Sequence, residues 1–319
     1  MRRPLIVTFL GPSLSAAAAT RAVAGSTVRL RILPPAARGD LWRALSLRPQ
    51  AIALIDGVFE ARPAVWHREI LGAIEAGVAV FGGASMGALR AAELWAFGMV
   101  GVGQVYRWLR EGVIVDDSEV ALLHAGPENH YRAFTVPLVN VRWVASQAHR
   151  ARVLDARQAR ALLAVAVGLF YQERRWVELI ERAARTWPLA TREAFRAWLP
   201  TAPDLKADDA RACLGAAVAF ASARVPRGIA PLWRAPSPLV QDRLGVCDDG
   251  DGDDALLASV ASSLGLQAPA APAQGAVRQA WPGLNGAESA RRASQRALAD
   301  LLRDRAQLLV PGAPARRRS

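Results

Sequence analysis

Four short apolar runs punctuate the first 145 residues: Leu5 to Leu10, Val28 to Leu33, Ala51 to Ile55 and Val78 to Phe81, each bounded by Gly, Pro or Asp. Runs this continuous suit strands covered on both faces, as in a parallel sheet. Helical spacing falls between them. Gly39 to Leu47 carries Leu41, Ala44 and Leu45 on one side, and Pro63 to Ala76 opens on a proline and stops at Gly77. Proline in the first turn and glycine just past the last is the usual asymmetry of helix ends. The alternation predicts an α/β fold, a mostly parallel sheet flanked by helices.

From about Asn140 onward the period is helical throughout. Apolar residues recur near every 3.6 positions over Asp155 to Tyr171, Arg175 to Trp187, Thr191 to Leu199 and Asp208 to Arg224. Pro226, Pro231, Pro236 and Pro238 follow, then the acidic run Asp248 to Asp254, a helical stretch near Ala287 to Leu308 and the tail Arg316-Arg317-Arg318. The expected organisation is an α/β core over 1–145, a helical region over 146–225, and a Pro-rich linker with helices and a basic tail over 226–319, which makes the C-terminal region all-helical.

Composition narrows the function classes. An apolar fraction of 52% with 21% charged residues fits a folded globular chain. No stretch of about 18 uncharged apolar residues is present, which argues against a membrane span. Leu5 to Leu10 ends in Gly11-Pro12, so a buried first strand is a better reading than an export signal, and a cytoplasmic location is the default. Cys213 and Cys247 have neither metal-type spacing nor a disulfide framework. The net charge of +12 is carried almost wholly by arginine, with Lys206 the sole lysine. No zinc finger or aromatic RNA-binding pattern accompanies that charge, so sequence-specific nucleic-acid binding is not expected.

The segment richest in chemistry is Phe81 to Arg90, FGGASMGALR, which holds G-x-S-x-G between an apolar run and good helix formers. A strand-to-helix turn of this kind lifts a serine to the carboxyl edge of a sheet, with glycines permitting the tight backbone. Ser85 is the candidate nucleophile. The amides of Met86 and Gly87, at the start of the following helix, are candidate oxyanion donors. Small residues in such a turn also suit plain helix–strand packing or passive anion holding. Asp56, ending the preceding strand, and His67, early in the next helix, point toward the same edge, where ligands of open α/β sheets gather. A turn-capping Asp56 and a packing His67 are the plainer alternatives.

Several motifs in fixed order resemble the TfuA family: GPSL at 11–14, PPAARGD at 34–40, IDGVF at 55–59, PAVWHREIL at 63–71, GGASMGALRAAEL at 82–94, FGMVGVG at 97–103, DDSEVALLH at 116–124 and VNVR at 139–142. The resemblance spans roughly residues 5–145. It implies an accessory protein for a YcaO enzyme in peptide backbone thioamidation. It further implies a hydrolase of Ser-Lys type that releases sulfide from the thiocarboxylate of a ThiS-like, ubiquitin-fold sulfur carrier and helps the YcaO engage its precursor peptide. No cofactor is implied.

On that mapping Ser85 is the nucleophile, and the lysine is expected in the segment that reads WHREIL here, where Arg68 stands. Arginine stays protonated and cannot serve as a base. His67 or water is then left as base, or Arg68 acts as a fixed charge, or the chain is a noncatalytic adaptor. Lys206 lies beyond the resembling region, in a stretch expected to be exposed. Asp56, Arg90 and Glu93 are expected to support the site, Arg90 by pairing with a carboxylate. Asp116, Asp117, Glu119, His124 and His130 lack a fixed ligand geometry, so no metal is expected. An unrelated small-ester hydrolase is the remaining alternative. Trp176, Trp187, Trp198 and Trp233 are expected to pack in cores or between domains.

Overall fold

The computed structural model describes residues 3–60 and 62–223, which fall within one compact unit, Met1–Leu232. The chain runs β1 (Leu5–Phe9), α1 (Ala16–Ala22), β2 (Arg29–Leu33), α2 (Asp40–Leu45), β3 (Ala51–Leu54), α3 (His67–Glu75), β4 (Ala79–Gly83), α4 (Met86–Leu94), β5 (Val100–Val102) and α5 (Gln104–Arg110). It continues with α6 (Leu138–Arg150), α7 (Ala156–Val167), α8 (Trp176–Ala183), α9 (Leu189–Trp198) and α10 (Leu205–Ser222). The tail motifs after residue 223, with Trp233 and Cys247, lie outside the described residues.

The five strands form one parallel sheet in the order β2-β1-β3-β4-β5. This confirms the α/β expectation. Strand order reverses beside β1, so a crevice opens at the carboxyl ends of β1 and β3, the usual ligand position in doubly wound sheets. Side chains alternate between the two faces. Ile6, Ala51, Ala53, Ile55 and Phe81 form one core with Ala210, Cys213, Leu214 and Ala217 of α10. Small residues at Ala51, Ala53 and Gly83 let α10 lie close to the sheet. A Cβ at Gly83 would sit 3.0 Å from that of Cys213.

Two differences from the sequence expectation bear on function. Helix α10 starts at Leu205 rather than Asp208, because the Asp204 carboxylate accepts a hydrogen bond from the Ala207 amide at 3.0 Å and caps the helix early. Helix α3 starts at His67 rather than Pro63. Ahead of it, Ala64 bridges Ala37 and the Pro63 carbonyl accepts from the Arg38 amide, so the chain is still extended there.

Helices α6 to α9 build a second core around Val141, Val144, Leu162, Leu179, Trp187 and Phe195, against which Trp176 and Trp198 are partly buried. A third cluster joins Ala88, Val105, Ile114, Val120, Val139 and Leu205. It brings α4, α5, α6, the first turn of α10 and the irregular segment 113–136 together beside the carboxyl end of β4. No helix among the described residues is long and apolar enough to cross a membrane.

Candidate active site

The turn between β4 and α4 is strained. Ala84 has φ +64, and the Ser85 amide reaches back to the Gly83 carbonyl at 2.7 Å across it. A left-handed alanine costs about 1–2 kcal/mol. Fully buried packing around Ala84 holds it there. The turn closes because Gly87 has no side chain, since a Cβ at that position would meet the Leu54 carbonyl oxygen at 1.8 Å. Helix α4 therefore begins directly against the end of β3.

Ser85 occupies the N-cap of α4, yet its hydroxyl caps no helix amide. Serine at this position usually bonds the second or third amide of the helix. Here the Ser85 backbone carbonyl accepts from the Ala88 amide at 2.9 Å, and Oγ faces Lys206 Nζ at 2.9 Å. The hydroxyl is thus left for the amine.

Lys206 is the second residue of α10. Its Nζ also donates to the Val120 carbonyl at 2.9 Å, while its backbone amide donates to Asn140 Oδ1 at 3.1 Å. Asn140 Nδ2 in turn donates to Asp204 Oδ1 at 2.9 Å, so α6 grips the capped end of α10. Both Lys206 and Ser85 are 2% exposed. Burial lowers the pKa of the Lys206 amine, and the carboxylates of Asp56 and Asp204 oppose that shift. An amine in this setting gives up its proton more readily than a solvated lysine, which a base acting on serine requires.

These distances overturn two expectations. Lys206 is buried rather than exposed, and the lysine beside Ser85 comes from the start of α10 rather than from the WHREIL segment, where Arg68 is the half-buried second residue of α3. The early cap at Asp204 makes this stretch a helix start and turns the lysine inward. The composition held a signal: among 40 lysines and arginines, one lysine stands alone. Where arginine serves the other cationic positions, a single lysine is a candidate for chemistry that arginine cannot perform.

The other predicted residues divide into three groups. Met86 contributes the first amide of α4, which has no backbone acceptor among the described residues and suits an oxyanion. The Gly87 amide donates to the Ile55 carbonyl at 3.1 Å, so it is occupied and unsuited to that role. Asp56, 1% exposed, accepts from the Gly11 amide at 2.8 Å, the Ser13 amide at 3.1 Å and the Ser13 hydroxyl at 2.6 Å. It thereby fixes the GPSL loop across the crevice while its charge acts on Lys206.

His67, Glu93 and Arg90 form a separate cluster between α3 and α4. Glu93 Oε2 lies 2.7 Å from both His67 Nε2 and Arg90 Nη1, and Arg90 Nε donates to the Val65 carbonyl at 3.0 Å. Burial alone would raise the Glu93 pKa, but Arg90 and His67 more than offset it and hold the carboxyl down at about 2. The hydrogen bond seen for the His67 ring goes to Glu93 rather than to Ser85.

The acidic motif at 116–124 is engaged in structural contacts. Asp116 caps the Ser118 amide at 2.8 Å, and Glu119 receives two bonds from Arg142, at 2.9 and 2.6 Å. Among the described residues no group of three or more His, Cys, Asp or Glu side chains is placed to hold a metal. A cleft of about 580 Å³ opens at the ends of β1 and β2, lined by Leu10, Gly11, Leu14, Pro34, His130 and Tyr131 among others. It borders the loop that Asp56 fixes.

A parallel α/β chain with a buried serine–lysine pair at a strained strand-to-helix turn defines the class. The TfuA-like protein family matches residues 56–175, and over that segment the chain is similar to the family. The match takes in Asp56, His67, Ser85, Glu119, Asn140 and Arg142 and ends before Lys206. It supports a role in the YcaO-associated thioamidation system, with a YcaO enzyme as partner. No curated protein matches the chain.

Proposed function

We propose that this chain is a serine–lysine hydrolase that cleaves the thiocarboxylate of a small ThiS-like sulfur carrier and releases sulfide beside a YcaO enzyme, whose engagement of the precursor peptide it also promotes. The observation that carries the reading is the 2.9 Å contact between Ser85 Oγ and a desolvated Lys206 amine. Neutral Lys206 takes the Ser85 proton as Oγ bonds to the thiocarboxylate carbon, and the Met86 amide receives the developing oxyanion. The carbon–sulfur bond then breaks as Lys206 returns that proton to the departing sulfur, so hydrosulfide leaves and the amine is neutral again. Water attacks the acyl-serine, again giving its proton to Lys206, and Ser85 is restored as the carrier carboxylate departs.

The test is sulfide release from a thiocarboxylated carrier by wild type, Ser85→Ala and Lys206→Met. Loss in both variants supports the hydrolase, and equal release by all three proteins overturns it. One observation favours a second reading. With Ser85 only 2% exposed, the pair is closed to bulk solvent, as suits a noncatalytic adaptor that recruits the YcaO. That reading predicts that Ser85→Ala keeps full stimulation of the YcaO and that wild type releases no sulfide.

A further inference from the structure

We propose that Arg142, acting through Glu119, is a positioning residue that aims the Lys206 amine at Ser85; the inference rests on the serine–lysine reading above. The geometry begins at the amine. A neutral amine has two N–H bonds and one lone pair, so an acceptor that fixes an N–H also sets where the lone pair points. The Val120 carbonyl is that acceptor, 2.9 Å from Nζ. Val120 belongs to no strand or helix, so its carbonyl is only as well placed as the irregular segment around it.

That segment is clamped at the neighbouring residues. Glu119, 7% exposed, takes both Arg142 bonds in a forked arrangement that fixes direction as well as distance. One residue earlier, the Ser118 carbonyl accepts from Arg174 Nη1 at 3.0 Å, while Arg174 Nε is held by the carbonyls of Ala166 and Leu169. The Val120 side chain packs with Ile114, Ala88 and Leu205.

Helix α6 governs the lysine from both ends. Asn140, near its start, holds the Lys206 backbone amide and the Asp204 cap, and Arg142, two positions on, holds the strand of chain that receives the lysine tip. One rigid turn thus sets the root and the tip of the same side chain. This spacing accounts for the VNVR and DDSEV motifs together, as two halves of one clamp.

The sole lysine provides a direct readout. Protein labelled with ¹³Cε-lysine gives one side-chain resonance, which reports the environment of Lys206 whether or not the protein turns over. The carboxylates acting on it, Asp56 and Asp204, are unchanged in the variants. In Arg142→Met the resonance is expected to move toward that of a solvated lysine and its titration midpoint to rise toward the ordinary value. Sulfide release should lose about tenfold in kcat with KM unchanged, the pattern of a misaligned base. Glu119→Gln keeps the shape of the clamp with one weakened bond and should show the same shifts at smaller size; it serves if Arg142→Met does not fold.

A folded variant whose lysine resonance, midpoint and kcat all match wild type overturns the proposal. A wild type that releases no sulfide while Arg142→Met still moves the lysine resonance defeats the hydrolase reading and leaves the clamp standing.

Discussion

Two polar clusters flank α4, and they manage charge in opposite ways. In the His67–Glu93–Arg90 cluster, a guanidinium and an imidazole ring flank a carboxylate that is 31% exposed on its side chain, so protein partners and water share the solvation. At Ser85–Lys206 the amine is buried, its direct partners are a hydroxyl and a carbonyl, and the carboxylates act on it only through space. The first arrangement stabilises its charges. The second destabilises one, which is how a fold makes a base from lysine. On the proposed hydrolase reading, the first cluster serves stability and the second chemistry.

The sharpest way to break this contrast is to exchange the losses. Lys206→Met should lower sulfide release by about 10²–10⁴-fold, whereas His67→Ala should leave it within about threefold, since the ring's seen bond goes to Glu93. Comparable losses in the two variants would merge the clusters into one site. The same lysine variant should also be more stable than wild type, because an apolar side chain replaces a desolvated amine. The linkage has a definite sign. The Lys206 pKa is lowered on folding, so the unfolded chain binds more protons between the folded value and the ordinary one. Wild-type stability therefore rises with pH across that window, and the advantage of Lys206→Met is largest below it. Urea denaturation at several pH values measures this.

A substitution at the turn comes next. Gly87→Ala should cost about 3 kcal/mol or more, because its Cβ would run into the Leu54 carbonyl and both atoms belong to rigid elements. Thermal unfolding of the purified variant, or its failure to accumulate in folded form, reports the effect.

Glu93→Gln probes the stabilising cluster. A carboxyl held near 2 against an ordinary 4.5 contributes stability that is fully present above about pH 4.5 and is lost as pH falls through 2. With partial solvent screening this amounts to about 1–2 kcal/mol. The variant should fall short of wild type by that amount at pH 6 and converge with it in strong acid, as denaturant midpoints would show. Smallest in size is Asp56→Asn. Removing a carboxylate that raises the Lys206 pKa should move the acidic limb of kcat/KM to lower pH, with little change on the plateau. An unmoved limb would exclude Lys206 as the group whose ionisation it follows.

The legibility of this fold in its sequence follows physical lines. Strands β1, β3 and β4 stood out because burial on both faces demands uninterrupted apolar residues, whereas the edge strand β2, exposed or half-buried throughout, showed only through Leu30, Ile32 and Leu33. Strand β5 did not, being three residues long with Gly101 at its centre, where a Cβ would collide with the Tyr106 ring. Ser85 was readable because a local turn needs local glycines. Lys206 was not, because nothing near it in sequence buries it. Its partners Val120 and Ser85 lie 86 and 121 positions away, and α10 is apolar around much of its surface, so its start carried little periodic signal. His67 and Arg68 were drawn toward Ser85 by topology alone, and the nearer carboxylate Glu93 claimed the histidine.

The span of 121 positions between Ser85 and Lys206 carries a consequence for the life of the molecule. On the proposed reading, a nascent chain that has released only its sheet carries Ser85 without Lys206, and the pair assembles only once α10 has emerged and docked. Fragments ending before Asp204 would be inert whatever their fold. Synthesis itself would then act as a safety catch for the proposed hydrolase, keeping Ser85 idle until nearly every described element is in place.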